Sequence, residues 1–264
     1  MIKTAHKGLT YYTFPKFNSY DTIKHGAFTR SGGVSPPPYG SLNLSISTGD
    51  SLENVATNLT LVREIMTARL IVSGHQEHGS RVAVIRRTDN PDQALGHVHT
   101  GTCDALVTNS PGLALLVKQA DCQAVLLYDP VKRVVANVHS GWRGSVAGVV
   151  PKTVAVMVTE FGSSTHDLVA GIAPSLGPCC AEFKNYHEEL PEHFVSFMDR
   201  PNYFDFWAIT RRQLVQAGLS DNNIESSGLC TRCRTDLFFS YRGEGLTGRF
   251  GSAIMLQDHH GSRP

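Results

Sequence analysis

The chain has 264 residues, 41% of them hydrophobic and 18% charged, with a formal net charge of +1. That balance excludes a disordered chain, which buries too little apolar surface to fold, and it excludes a strong electrostatic pull toward nucleic acid or anionic membrane. The expected partner is a small molecule, and composition leaves the oligomeric state open.

No stretch approaches the roughly 18 apolar residues of a spanning helix, and MIKTAHKGLTYYTFPKF at the N-terminus lacks an apolar core, so a cytoplasmic protein is expected. The length suits one large α/β domain over residues 1–264. Six cysteines (Cys103, Cys122, Cys179, Cys180, Cys230, Cys233) are too sparse for a disulfide scaffold, and two are adjacent, so reduced thiols are expected.

In chain order, GAFT (26–29) reads as a strand, and TRSGGVSPPPYGSLNL is too rich in glycine and proline to be anything but a loop. Asp50-Ser-Leu-Glu53 reads as a capping box, and Val55, Leu59, Val62 and Met66 recur at helical spacing, which predicts a helix over about 51–69. Strands follow at RVAVI (81–85), DALVT (104–108), LALLV (113–117), AVLLY (124–128) and VVANV (134–138), and a large sheet is the expected product. The short DPVKR between the last two runs predicts an antiparallel hairpin.

After HSGWRG (139–144), apolar residues from Val146 to Phe161 predict an amphipathic helix kinked at Pro151. DLVAGI (167–172) reads as a strand and APSLGPCC as a loop, with helices expected near 187–198 and 206–217. FFSYR and RFGSAIML read as a closing pair of strands joined by GEGLTG. The fold class expected is mixed α/β with substantial antiparallel pairing.

The predicted hairpin brings Cys122, just before AVLLY, and His139, just after VVANV, to one end of the sheet. Asp121, Gln119, Gln123 and Arg143 add polar groups there, more than a packing role for a cysteine or a satisfied role for a histidine requires. Two chemistries use such a pair: an imidazole that activates a thiol nucleophile, or a zinc ion held by both with a third ligand and an open position. His78 in GHQEHGS is a candidate third ligand and His75 its competitor; spacing does not choose between them. Cys230-Thr-Arg-Cys233 lacks a following ligand pair, so a packing role is expected there.

Taken together, GAFTRSGGVS, PYGSLNL, GDSLENVATN, QEHG, DALVTNSPG, ADCQAVLLYD, VHSGWRG, GPCCAEF, CTRC, FFSYR and TGRF resemble the YfiH-like laccase-domain proteins, once described as polyphenol oxidases and now as purine nucleoside phosphorylases. The resemblance runs from about Ile23 to Leu256. It implies a layered αββα architecture, a catalytic zinc site with ligands at His78, Cys122 and His139, phosphorolysis of adenosine, inosine and related nucleosides, and adenosine deamination as a companion activity. Glu77 and Gln119 stand where the family usually has Val and Thr, next to the site, and bear on substrate preference.

Phosphorolysis needs an anion site, for which Arg30, Arg143, Arg242 and Arg249 are the candidates, Arg143 ahead of Arg242. Asn43 and Ser240 are candidates for ribose hydroxyls, each with a turn-satisfying role as the alternative. The rival readings are a cysteine hydrolase or amidase acting in peptidoglycan-precursor editing, with Cys122 as nucleophile and His139 as base, a copper-dependent polyphenol oxidase, and a non-catalytic zinc-binding protein. Copper ranks behind zinc because clustered histidines are wanted and His97-Val-His99, expected in a loop, is one pair only.

Overall fold

A computed structural model describes residues 1–86 and 96–258. Its first half contains β1 (Ile2–His6), β2 (Leu9–Thr13), β3 (Ile23–Phe28), helix α1 (Leu52–Met66), β4 (Leu70–His75), β5 (Val82–Val84), β6 (His97–Thr102), β7 (Ala105–Thr108), β8 (Leu113–Gln119) and β9 (Gln123–Asp129). The second half adds β10 (Val134–Ser140), α2 (Trp142–Val146), α3 (Val149–Phe161), β11 (Val169–Ile172), α4 (Tyr186–Glu189), β12 (Met198–Arg200), β13 (Tyr203–Phe204), α5 (Phe206–Gln216), β14 (Ile224–Ser226), α6 (Tyr241–Glu244) and β15 (Phe250–Leu256).

Instead of one large sheet there are two, a seven-stranded sheet ordered β1-β2-β3-β15-β8-β4-β6 and a six-stranded sheet ordered β14-β11-β9-β10-β7-β5, with β12 and β13 forming a small ribbon. The strands explain why two sheets form: β9 is buried along both faces, and successive side chains of a strand point opposite ways. Val125 and Leu127 pack with Val149, Val150, Val154 and Met157 of α3, while Leu126 and Tyr128 pack on Leu113 and Leu115 of β8 and Ile254 of β15. On the far side of the seven-stranded sheet, Ala114, Leu116, Ala253 and Met255 meet Val55, Val62 and Ile65 of α1. These three apolar layers make an αββα stack of mixed sheets with extensive antiparallel pairing.

Helix α1 forms where its apolar spacing predicts, but its cap lies one residue later: Ser51 accepts from the Asn54 N–H, and Asp50 accepts from the Ser51 N–H and the Asn54 side chain. The predicted helix after HSGWRG divides into α2 and α3 at Gly148, whose φ of +72° suits glycine. Pro151 falls in the first turn of α3, where a missing N–H costs nothing, so it causes no kink. Near 187–198 a four-residue helix is followed at Pro191 by a 3₁₀ segment from Glu192 to Phe197.

FFSYR is not a strand. Phe238 and Phe239 are fully buried against Ala120 and Phe250, and the Ser240 side chain caps α6 by accepting from Gly243 N–H. β15 pairs with β3 and β8 instead. His97 and His99 lie in strand β6, not in a loop, and β1, β2 and β4 are strands that sequence patterning passed over.

Candidate active site and metal centre

Three times the chain passes from the seven-stranded to the six-stranded sheet: β4 to β5 through residues 76–81, β6 to β7 through Cys103 and Asp104, and β8 to β9 through Ala120, Asp121 and Cys122. These crossings deliver His78, Asp104 and Cys122 to one end of the stack, where β10 ends. In the β9–β10 hairpin His139 pairs with Ala124 and Ser140 with Gln123, so Gly141 comes opposite Cys122. The side-chain donor atoms of His78, Cys122 and His139 all lie within 4.8 Å of one another.

Asp104 organises this group, and nothing in the sequence patterning singles it out. It is buried; Oδ1 accepts from His139 Nδ1 at 2.8 Å and from His78 N–H at 3.0 Å, and Oδ2 accepts from Gly79 N–H at 2.8 Å. The backbone adds a bond from His139 N–H to Asp104 O at 2.7 Å. With Nδ1 committed to a carboxylate, His139 presents Nε2 as its free donor atom. The one available hint was the position of Asp104 at the start of an apolar strand, where a buried carboxylate needs donors.

Burial pushes the Asp104 carboxyl up, but the hydrogen bond and charge of His139 and the N–H groups of Gly79 and Glu77 outweigh it and hold it below the ordinary carboxylate range. Burial likewise opposes ionisation of Cys122, yet His139 and His78 prevail and lower its pKa. For His139, burial is overcome by Cys122 and Asp104, and its pKa rises. The surroundings of Cys122 thus favour its thiolate, the form that attacks carbon or binds metal.

The HSGWRG turn owes one glycine to this crowding. A Cβ on Gly141 would stand 2.6 Å from His78 Nδ1 and 3.1 Å from Cys122 Sγ. His78 itself sits at φ +62° and Asp121 at φ +83°, left-handed conformations uncommon outside glycine and held here by the hydrogen bonds around them. His75 is exposed at the end of β4, with its ring 6.4 Å from that of His99; neither belongs to the converging group.

The remaining predicted residues fall into two sets. Asp121 gathers the first: its Oδ1 accepts from Thr231 and Ser240 hydroxyls, each at 2.7 Å, and its Oδ2 accepts from Arg242 N–H. The Arg242 side chain reaches Glu182 O, and Arg249, whose pKa burial lowers against the charges of Cys122 and Asp121, donates to Thr247 O and Gly248 O. Arg143 is exposed on α2, its guanidinium 4.7 Å from the centre of the Trp142 ring.

The second set is bonded chiefly to the fold itself. Arg30 donates to Gly40 O and Thr235 O and pairs with Glu244 at 2.8 Å. Asn43 is fully buried; its amide donates to Ser45 O, Thr48 and Asp50, and its Oδ1 accepts from Ser45 and Arg249 N–H. Of the two atypical positions, Glu77 is exposed beside His78, while Gln119 is buried, donating to Pro174 O, with its Oε1 unpartnered among the described residues.

A second cysteine pair, upstream in the sequence, meets the CTRC motif in the fold. Cys179, Cys180, Cys230 and Cys233 bring their sulfurs within 4.8 Å of one another, and Cys179 and Cys233 are exposed. Packing accounts for the two buried thiols but not for the two exposed ones. No helix among the described residues is long and apolar enough to cross a membrane.

In the αββα stack, sheet crossings and a hairpin end thus converge on a three-donor histidine–cysteine centre, backed by a buried carboxylate, of the kind that binds a metal ion. The chain belongs to the family described as multi-copper polyphenol oxidoreductase laccase, whose family model matches residues 24–257. A purine nucleoside phosphorylase of Bacteroides thetaiotaomicron is 33% identical over 261 residues, covering 92% of this chain and 95% of that one. The crystal structure of Bacillus licheniformis hypothetical protein YfiH superposes with a TM-score of 0.85 at 29% identity, over 96% of this chain and 97% of that one. YlmD from Geobacillus stearothermophilus gives a TM-score of 0.85 at 27% identity, over 97% and 98%.

Proposed function

We propose that this protein is a zinc-dependent purine nucleoside phosphorylase that cleaves adenosine, inosine and related nucleosides with phosphate and also deaminates adenosine. The observation that carries the reading is the donor set: two imidazoles and a thiolate, one imidazole oriented by Asp104, in a chain whose full-length relatives are named purine nucleoside phosphorylases. Three protein donors suit a catalytic zinc site, and the absence of any Cβ at Gly141 leaves the room that the donors need.

Zinc held by His78, Cys122 and His139 would supply Lewis acidity at its remaining position. Asp104 keeps His139 in the tautomer that frees Nε2 and fixes the loop of His78 through two backbone bonds. Arg143, exposed and with no carboxylate partner among the described residues, is assigned to phosphate, and Arg249 supports the anionic side of the site from beside Cys122. Ser240, fully buried with its hydroxyl bonded to Asp121 and to Gly243 N–H, serves the ribose side at one remove by fixing Asp121. Arg30 and Asn43 serve substrate at one remove, Arg30 by tying the 30–41 loop to Thr235 and Glu244, and Asn43 by holding the Arg249 backbone.

Two imidazoles and one thiolate also suit copper, but multi-copper oxidation requires further copper ligands, and the only other converging group of histidine, cysteine or carboxylate among the described residues is made of thiols alone. The decisive assay incubates metal-loaded protein with inosine or adenosine and phosphate and measures free base and ribose 1-phosphate, then repeats adenosine without phosphate and measures inosine. Phosphate-dependent base release that chelation abolishes and zinc restores is the expected result. A chelator-insensitive activity with an acyl group trapped on Cys122 would replace this reading with the cysteine hydrolase.

A further inference from the structure

We propose that Cys179, Cys180, Cys230 and Cys233 form a second, closed metal site that holds a thiophilic divalent cation, zinc foremost, as a structural brace independent of the His78, Cys122 and His139 centre. Cys233 Sγ is 3.5 Å from Cys179 Sγ and 3.5 Å from Cys180 Sγ, and all four sulfurs lie within 4.8 Å of one another. A tetrahedral zinc with Zn–S bonds of about 2.3 Å has sulfurs about 3.8 Å apart along each edge, so two of the six edges are already near that length and none exceeds it by more than about 1 Å.

The backbone holds them there. Cys180 N–H bonds to Gly177 O, Thr231 N–H to Ser175 O and Arg234 N–H to Cys230 O, which fixes the turn 177–180 against the turn 230–234. Gly177 N–H donates to Cys230 Sγ at 3.3 Å, the kind of outer hydrogen bond that supports a metal-bound thiolate. Gly177 also has no room for a side chain, since a Cβ there would come within 3.1 Å of Cys230 Cβ and 2.8 Å of the Trp207 ring.

Charge is met locally as well. Binding replaces four thiol protons with one M²⁺, releasing four protons and leaving a shell of net charge −2; Arg200 donates to Cys179 O at 2.9 Å, next to that shell. The brace would tie the 175–182 segment to the 229–242 segment, whose Thr231, Ser240 and Arg242 all bond Asp121 beside Cys122. Its purpose is to hold that wall of the first site in place.

The test counts metal and thiols separately, and it stands whether or not the protein acts on nucleosides. Protein purified under reducing conditions with zinc should contain about two zinc ions per chain, and Cys179→Ser/Cys233→Ser should contain about one. Cobalt-loaded Cys122→Ala should retain the intense thiolate-to-metal charge-transfer absorption of a tetrathiolate site. In the unmodified chain, metal should slow alkylation of exposed Cys179 and Cys233 at least tenfold, and a chelator should remove that protection. Unchanged zinc content in the double variant overturns the proposal. So does equal alkylation with and without metal, or a disulfide between these cysteines in a chain that takes up no second ion after reduction.

Discussion

Replacing Asp104 with Asn tests the arrangement at its centre while preserving size. In the wild type one oxygen accepts from His139 Nδ1 at 2.8 Å and His78 N–H at 3.0 Å, and the other from Gly79 N–H at 2.8 Å. An amide has one acceptor. Facing its oxygen to the histidines opposes its NH₂ to the Gly79 N–H; facing its NH₂ to them turns His139 to the tautomer that carries the proton on Nε2. Either way one or more bonds to a charged group are lost, about 1.5–3 kcal/mol each. Loss of a carboxylate that orients a metal-binding histidine typically costs 10–100-fold in affinity, about 1.4–2.7 kcal/mol, so the two routes agree. Competition with a chromophoric chelator measures the zinc affinity, and circular dichroism verifies the fold. A folded Asp104→Asn protein with wild-type zinc affinity would refute the assigned role of Asp104.

Gly141→Ala should retain its secondary structure yet lose most first-site zinc, because the added Cβ collides with His78 and Cys122; full metal occupancy by element analysis would contradict the close approach. Asn43→Ala should destabilise by about 3 kcal/mol through buried groups left unpaired, read as a lowered Tm, whereas a raised KM at unchanged Tm would return Asn43 to direct ribose contact. Arg143→Ala should raise the KM for phosphate at least tenfold and leave phosphate-independent deamination intact; equal loss in both assays would give Arg143 a different task. His25, buried and accepting from Phe14 N–H at Nε2, has its pKa lowered by burial to about 4. The unfolded chain, with an ordinary histidine pKa of about 6.5, binds the proton first, so this stability is complete above that value and lost as pH falls toward 4, up to about 3 kcal/mol. Urea unfolding at pH 7 and pH 4.5 should show a smaller pH loss in His25→Gln than in the wild type, and identical losses would discount His25.

Elements whose partners lie close along the chain are legible in residue order alone. The β9–β10 hairpin follows from two apolar runs and a short turn, and its register alone brings Cys122 and His139 to one end. Helix α1 follows from apolar residues at helical spacing behind a hydrogen-bonding cap. Whatever depends on where separate segments meet is fixed only by the packed fold. Of the two histidines that spacing leaves open, His78 joins the pair because the β4–β5 crossing turns between them, and Asp104 enters because a second crossing buries it against backbone N–H groups 25 and 26 residues upstream. FFSYR reads as a strand by residue type, yet Phe238 and Phe239 fill the buried space beside Ala120 and Phe250. The four sulfurs come from a vicinal pair and a CxxC turn some 50 residues apart, joined by the backbone bonds between Ser175, Gly177 and the 230–234 turn. Local spacing carries no information about such encounters, because the burial and hydrogen bonding that enforce them exist only once both sheets are stacked.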